Sequence, residues 1–209
     1  MPSFSIEETL GSRRIFGIDE AGRGPWCGPV VAACVCWPDL QMPEELKTQI
    51  KDSKKLTSAR REELFEKIKN SSAIVGVGQA SAQEIDRYNI LNATFMAMHR
   101  ALEQITSPID YVLIDGNRLP KNWEYPCQAV IKGDDLSFSI AAASIIAKVT
   151  RDRIMTDLSK AYPAYKWDKN AGYGTKDHIL ALQEFGITPH HRRSYAPIQK
   201  ILQEKTLAI

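Results

Sequence analysis

Short apolar runs separated by glycine-rich or charged turns mark the strands of this chain. Runs rich in β-branched and aromatic residues predict strands at residues 13–20, 29–37, 73–80, 111–116 and 127–131. The glycines between the first two runs predict an antiparallel pair joined by a turn. The fourth run is apolar, which indicates an interior parallel strand. The stretch 38–50 is interpreted as a polar connection.

Helical periodicity appears between and after these runs. A helix is predicted to begin near Thr57, and Ser81 and Glu84 have the spacing of a capping box at the start of another. Residues 139–158 form a predicted helix whose first half is apolar nearly all round, so it is expected to be buried. Further helices are predicted after Thr175, at 188–189 and from about Pro197.

Composition indicates a globular chain in a reducing compartment. A chain of 209 residues fits one domain, and its four cysteines form no CxxC pair, so free and mostly buried thiols are expected. The sequence shows neither a signal peptide nor a membrane span, which favours a cytoplasmic location and no membrane partner. Net charge is only +2, but residues 147–209 hold eleven Lys or Arg against six Asp or Glu. A basic surface beside an acidic site is therefore expected.

Four carboxylates lie at or just after the ends of predicted strands: Asp19, Glu20, Asp115 and Asp134. Neighbouring side chains of a strand point to opposite faces. We therefore expect Asp19 to point into a site and Glu20 to reach it through a distortion or through its backbone carbonyl. Converging carboxylates would repel one another without a cation, and oxygen ligands favour Mg²⁺ or Mn²⁺ over zinc.

Several acids also have a structural interpretation. Asp19 and Glu20 alone fit a solvated surface turn equally well, and an Asp-Gly step such as Asp115-Gly116 is a common turn. Asp152 stands between two arginines in a predicted helix, so an ion pair is the simpler interpretation, and we rank it below Asp134 as a metal ligand.

Basic and aromatic residues form a second group of candidates. Arg23 lies between glycines and suits a phosphate. The lysine-rich loop at 52–55 also suits a phosphate, although such loops are more often solvated. Residues 162–175 interleave aromatic and basic side chains, which suits stacking on nucleic acid but also fits a packed surface loop. The stretch 190–193 is either a phosphate contact or a structural polar cluster.

Residues 17–24, with the sequence GIDEAGRG, resemble the first motif of ribonuclease HII, the prokaryotic type 2 ribonuclease H. Further matches span most of the chain: 52–56 (DSKKL), 114–116 (IDG), 132–134 (KGD), 141–153 (AAASIIAKVTRDR), 172–175 (GYGT) and 191–195 (HRRSY). The resemblance implies an α/β fold with a ribonuclease H-like mixed β-sheet of about five strands flanked by helices. It also implies one domain over 1–209, with a catalytic core at about 13–160 and a helical, substrate-binding C-terminal part at about 161–209.

The resemblance further implies an endonuclease that hydrolyses the RNA strand of RNA·DNA hybrids and cuts 5′ to ribonucleotides embedded in duplex DNA. Two-metal catalysis would leave 5′-phosphate and 3′-hydroxyl ends, during DNA replication and ribonucleotide repair. By position, the residues that resemble metal-binding catalytic acids are Asp19, Glu20, Asp115 and Asp134. Those that resemble substrate contacts are the ribose sensor Gly22, Arg23 and Gly24, the stacking ring Tyr173, and the phosphate contacts Ser53, Lys54, Ser144 and Lys148.

Two alternatives stay open, ribonuclease HIII and a catalytically silent hybrid-binding module. About 14 residues precede the first strand, which disfavours ribonuclease HIII because that family usually carries an extra amino-terminal domain. One departure is the pair Asn170-Ala171, where many relatives are more basic, and it leaves strand affinity open. A monomer is expected. A clamp-binding tail is neither evident nor excluded in the sequence, so a replication sliding clamp is left open as a partner.

Overall fold

A five-stranded mixed sheet forms the centre of the protein. The computed structural model describes residues 1–11, 14–50, 56–121 and 123–207. The strands are β1 Ile15–Ala21, β2 Val30–Cys36, β3 Ile74–Ala80, β4 Tyr111–Asp115 and β5 Cys127–Val130. They are arranged in the order β3-β2-β1-β4-β5. β1 pairs with β2 and β2 with β3 antiparallel, whereas β4 is parallel to both β1 and β5. The predicted interior parallel strand is thus confirmed.

Helices cover both faces of this sheet. Their bounds are α1 Ser5–Thr9, α2 Glu44–Gln49, α3 Ser58–Lys69, α4 Ala82–Glu103, α5 Gly133–Leu136, α6 Phe138–Ala161, α7 Trp167–Asn170, α8 Lys176–Phe185 and α9 Ala196–Leu207. Single 3-10 turns occur at Pro38–Leu40 and Pro163–Tyr165. This arrangement confirms the expected α/β fold with a mixed sheet of about five strands flanked by helices.

Two local predictions are wrong. The stretch 38–50 contains a 3-10 turn and α2, and it buries Met42, Leu46 and Ile50 against the sheet rather than forming a polar connection. No helix begins at Thr188, because its backbone N–H and hydroxyl both contact the ring of His191 and hold the segment in a turn. The sequence pattern also missed α1, which is only five residues long.

Side chains of β1 alternate between two apolar layers. Phe16 and Ile18 pack with the residues of α4, including Ala97 and Met98, on one face of the sheet. On the opposite face α6 packs against β2 and α3 through its buried alanines and isoleucines. Gly17 and Asp19 therefore belong to the face that α6 covers.

α6 approaches β1 closely at Gly17. A Cβ atom on Gly17 would lie 2.3 Å from the backbone nitrogen of Ile140 and 2.3 Å from the carbonyl carbon of Ser139. No side chain fits this gap, so the residue fixes the first turn of α6 against the strand. From that contact the helix runs along the side of β1 that carries Asp19.

The N-terminal segment completes the start of α6. Glu7 of α1 is fully buried, and its Oε1 accepts hydrogen bonds from Ser137 Oγ at 2.6 Å and from Ser139 N at 3.4 Å. Ser137 itself is the N-cap, because its hydroxyl accepts from Ile140 N at 3.2 Å. A carboxylate at this position satisfies helix donors and complements the helix dipole.

The C-terminal part has a small core of its own. Trp167, Leu182 and Ile198 pack there with Met155 of α6 and with Cys27 from the loop after β1. Cys27, Cys34 and Cys36 are buried free thiols as predicted, and Cys127 is a free thiol that is partly buried. No helix within the described residues has the length and apolar character needed to cross a membrane.

Gly17→Ala tests the contact between α6 and β1. Because the new methyl group would collide with backbone atoms, we expect the free energy of unfolding to fall by about 3 kcal/mol. Gly11→Ala is the matched control: Gly11 has a φ of +85°, but no atom of the described residues lies within 4 Å of an added Cβ. Its cost should be limited to the conformational penalty of about 1–2 kcal/mol. Equal losses for both variants in urea unfolding would contradict the steric argument.

Candidate active site

Three carboxylates meet beside the sheet. One oxygen each from Asp19, Asp115 and Asp134 lies within 4.8 Å of the others. Asp19 and Asp134 are buried and Asp115 is partly buried. This set has the all-oxygen chemistry that Mg²⁺ and Mn²⁺ prefer, so the residues fit a hard divalent cation.

The mixed topology brings the acids together. β1 and β4 are adjacent and parallel, and Ile18 pairs with Ile114, so Asp19 and Asp115 follow at the same end of both strands. Asp115 Oδ1 accepts a hydrogen bond from Gly133 N at 2.7 Å. This bond holds the start of α5, which carries Asp134, against the end of β4. Asp134 thus reaches the site on a short helix. The sequence predicts only that it follows a strand.

Glu20, the next residue of β1, is outside this set of three acids. It lines a small pocket together with Thr94, Met98 and Asp115, and its Oε1 accepts from Arg23 Nη1 at 3.2 Å. The backbone N–H of Glu20 donates to Asp19 Oδ1 at 2.7 Å, which orients the Asp19 carboxylate. Asp19 points toward Asp115 and Asp134 as expected, whereas metal binding by each of the four acids, including Glu20, stays a prediction.

A cleft of about 320 Å³ opens over the acids. Besides Asp19 and Asp115, it is lined by Glu20, Gly22, Arg23, Gly24, Ser144, Lys148, Arg151 and Tyr173. Ser144 and Lys148 are one helical turn apart on α6 and face the same cleft. The Ser144 hydroxyl donates to the Ala141 carbonyl at 2.8 Å, and Lys148 Nζ lies 2.6 Å from Asp152 Oδ1. Asp152 is therefore an ion-pair partner outside the acid cluster, as ranked from the sequence.

The glycine loop after β1 is held by a buried arginine from the far end of the chain. Arg192 is fully buried, and its guanidinium donates to the carbonyl oxygens of Gly22 at 2.5 Å, Arg23 at 2.9 Å and Gly28 at 2.9 Å. Tyr195 adds a hydroxyl that donates to the Arg23 carbonyl at 2.6 Å. Within the stretch 190–193, the buried His191 and Arg192 thus belong to a structural polar cluster, whereas Arg193 is exposed.

Arg151 supports the same loop from α6. Its guanidinium donates to the carbonyls of Pro29 at 3.0 Å, Cys27 at 3.0 Å and Ala171 at 2.9 Å. Burial, and then the nearby positive charge of Arg192, lower the pKa of Arg151 to about 10. Because this value lies above neutrality, Arg151 stays protonated and keeps a positive charge behind the loop. The sequence pattern placed Arg151 in a basic helix half but did not indicate its burial.

Tyr173 stands at the edge of the cleft. Its side chain is exposed over half of its surface, and an added Cβ on Gly24 would lie 3.4 Å from its ring. The departure at 170–171 has a local role here: the side chain of Asn170 is buried, donates to the Tyr165 carbonyl and accepts from Gly172 N at 2.9 Å. Trp167 and Tyr165 of the aromatic stretch are packed in the small core instead of facing the cleft.

Two of the predicted phosphate contacts cannot be placed relative to the cleft. Ser53 and Lys54 fall in the part of the chain that the structure does not describe. Sequence reasoning gave no role to His178 or Tyr195 and left His191 and Arg192 between two interpretations. Only their tertiary neighbours reveal what they do, because a buried arginine and an exposed one look alike in a sequence.

Sequence comparisons with known proteins all point to the same family. The family model described as ribonuclease HII matches residues 16–198. A protein of Rhodospirillum rubrum named ribonuclease HII is 50% identical over 210 residues, covering 99% of this chain and 94% of that protein.

Solved structures agree. The crystal structure of ribonuclease H2 from Pyrococcus horikoshii OT3 is similar with a TM-score of 0.74 and 29% identity, covering 91% of this chain and 98% of that one. The ribonuclease HII of Archaeoglobus fulgidus, solved in complex with PCNA, gives a TM-score of 0.73 and 26% identity over 87% of this chain and 95% of that one. The chain therefore belongs to the ribonuclease HII family, and it is an endoribonuclease that acts on RNA·DNA hybrids.

Proposed function

We propose that this enzyme hydrolyses the RNA strand of hybrids and also cuts 5′ to single ribonucleotides embedded in duplex DNA, leaving 5′-phosphate and 3′-hydroxyl ends. The observation that carries the proposal is the convergence of Asp19, Asp115 and Asp134 within 4.8 Å, beside a glycine loop in the same cleft. Such a site joins a hydrolytic centre to a surface on which a ribose can be recognised. The cellular role would be ribonucleotide removal during replication and repair.

The acids would hold Mg²⁺ or Mn²⁺, with two ions during catalysis. Asp19, Asp115 and Asp134 would bind through their side chains, and Glu20 through its backbone carbonyl or after a rearrangement. When bound, such cations supply a lowered pKa for the attacking water and stabilise the charge on the leaving oxygen. The chain itself holds the carboxylates in place, since Asp19 and Asp115 each accept a backbone N–H.

The glycine loop would recognise the ribose. Arg192 occupies the carbonyl oxygens of Gly22 and Arg23, so we infer that the loop contacts the 2′-hydroxyl through its backbone N–H groups. Arg23 is half exposed and paired with Glu20, and it would exchange that partner for the adjacent phosphate. Tyr173 would stack on the sugar at the junction of RNA and DNA.

Other contacts extend this proposal along the backbone of the nucleic acid. Ser53, Lys54, Ser144 and Lys148 would bind phosphates, and residues 161–209 would form the substrate-binding part of a single domain. We propose that the enzyme works as a cytoplasmic monomer. A sliding clamp is included as a partner because the Archaeoglobus fulgidus relative was solved with PCNA.

A duplex with one ribonucleotide tests the reaction. We expect cleavage 5′ to that ribonucleotide in Mg²⁺ or Mn²⁺, no cleavage after chelation, and none of the matched all-DNA duplex, because the cut needs both the cation and the 2′-hydroxyl. Gel analysis of the labelled strand reads out the position of the cut, and a full hybrid serves as a second substrate. Tight binding without cleavage under either metal would instead support the hybrid-binding module.

Asp115→Asn tests the acid cluster. The variant keeps an oxygen for the Gly133 N–H but loses the charge that a cation needs, so kcat should fall by at least about a hundredfold. Without metal, its melting temperature should equal or exceed that of the parent, since one repelling charge is removed. Asp135→Asn, one residue beyond Asp134 and outside the cluster, is the control. Parental turnover by Asp115→Asn would show that the site is misassigned.

Tyr173→Ala tests the stacking ring. Loss of a stacking contact costs about 1–3 kcal/mol, so KM for the single-ribonucleotide duplex should rise about tenfold with little change in kcat. Tyr173→Phe keeps the ring and should stay close to the parent. A KM for Tyr173→Ala within experimental error of the parental value would remove this residue from the proposal.

A further inference from the structure

Two buried histidines connect the C-terminal core to Tyr173. His178 of α8 and His191 are both almost fully buried, and their Nε2 atoms are 3.0 Å apart. Nδ1 of His178 lies 2.9 Å from the carbonyl oxygen of Tyr173. Nδ1 of His191 lies 2.9 Å from the backbone nitrogen of Thr188. The two rings thus form one chain of contacts from Thr188 to the residue at the edge of the cleft.

The partners at both ends determine the protonation of each ring. The Thr188 N–H can only donate, so His191 Nδ1 is the acceptor and its Nε2 carries the proton. That proton is directed at His178 Nε2, which must accept, and His178 Nδ1 therefore carries the proton that reaches the Tyr173 carbonyl. Trp167 Nε1–H also points to His178 Nε2, at 3.2 Å, which favours the same tautomer.

Burial keeps both rings neutral. It lowers the pKa of His178, and burial together with the proximity of His178 lowers the pKa of His191 to about 3. A second proton on either ring would set two N–H groups against each other or against the Thr188 N–H. The tautomers are consequently fixed at neutral pH, and His178 Nδ1–H is the donor in the hydrogen bond to the Tyr173 carbonyl.

The backbone around Tyr173 needs such a constraint. Gly172, with a φ of +82°, and Gly174 flank it, and glycine leaves the backbone a wide choice of conformations. The Tyr173 N–H donates to the Asn170 carbonyl at 2.9 Å, and its own carbonyl accepts from Thr175 N at 2.8 Å as well as from His178. The two backbone bonds are local, whereas His178 ties the same peptide to the packed core.

We propose that His178 is a positioning residue: by donating to the Tyr173 carbonyl from the buried histidine pair, it fixes the direction in which the Tyr173 ring projects over the cleft. The proposal rests on the role given to Tyr173 under Proposed function. His178 contacts no substrate in this arrangement. It acts on the ribose-sensing surface through the backbone of the glycine-flanked tyrosine.

Two substitutions of His178 separate its two nitrogens. In His178→Asn the amide nitrogen takes the place of Nδ1 and can still donate to the Tyr173 carbonyl, whereas His178→Gln places its amide near Nε2 and loses that bond. On the single-ribonucleotide duplex, His178→Gln should raise KM about tenfold with kcat within about twofold, and His178→Asn should recover most of the loss. His190→Gln is the matched control, because His190 packs on Tyr162 and Trp167 in the same cluster without contacting Tyr173 through its ring. All assays are run well below the melting temperature of the least stable variant.

A double-mutant cycle with Tyr173→Ala separates positioning from a general structural effect. If His178 acts through Tyr173, His178→Gln should change KM by less than about twofold in the Tyr173→Ala background. An equal loss in both backgrounds would overturn the inference. A loss for Tyr173→Ala but none for His178→Gln would overturn the inference alone, whereas a parental KM for Tyr173→Ala would overturn the proposed role of the ring.

The tautomer can be measured in the unmodified chain, which keeps the inference testable if the glutamine variant fails to fold. Nitrogen-15 chemical shifts of the imidazole rings at neutral pH should show His178 protonated at Nδ1 and His191 at Nε2. A His178 ring protonated only at Nε2 would have no proton for the Tyr173 carbonyl and would overturn the inference.

Discussion

The packing of α6 directly on β1 at Gly17 is the constraint on which the site depends. Because no side chain separates Ile140 from Gly17, the helix lies close enough for its later residues to reach the same side of the strand as Asp19. Ser144, Lys148 and Arg151 then follow at successive turns and line the cleft. The start of α6 also fixes α5, since Ser137 N donates to the Gly133 carbonyl at 2.8 Å. One backbone contact thereby sets the positions of Asp134 and of the helix face opposite the glycine loop.

Two buried guanidinium groups give this loop its shape and its charge. Within the described residues, Arg151 and Arg192 donate hydrogen bonds to backbone carbonyls and to the Tyr195 hydroxyl rather than to carboxylates. Burying a charge is costly, and several carbonyl dipoles per guanidinium offset that cost. The positive charges remain behind the loop, where they favour a polyanionic substrate beside an otherwise acidic cluster. The cleft thus combines carboxylates with positive charge, as the proposed binding of cations and phosphates requires.

Sequence patterns predicted the parts of the site that depend on local structure. The strands and the acids at their ends follow from runs of apolar residues, and the period of two predicts that Asp19 and Glu20 face opposite ways. The roles of Arg192 and His178 could not be predicted in this way, because the burial of a polar side chain depends on its tertiary neighbours. Arg192, for example, is buried against the glycine loop, which lies more than a hundred residues away in the sequence. The helix α2 was missed because its only buried position, Leu46, gives no periodic signal.

The proposed metal ligands and the proposed ribose contacts lie in differently built parts of the molecule. Three of the four metal-ligand candidates, Asp19, Glu20 and Asp115, stand on the central sheet, within apolar layers that are set by strand pairing. The surface proposed to recognise the ribose is instead a junction of distant segments joined by backbone bonds, from Trp26 N to the Gly172 carbonyl and from Arg192 N to the Trp26 carbonyl. Buried polar groups lie behind this junction. Their hydrogen bonds require particular orientations of donor and acceptor, whereas the contacts in an apolar core do not. A polar network of this kind allows few alternative arrangements of the loop, which suits the proposed recognition of a single hydroxyl group.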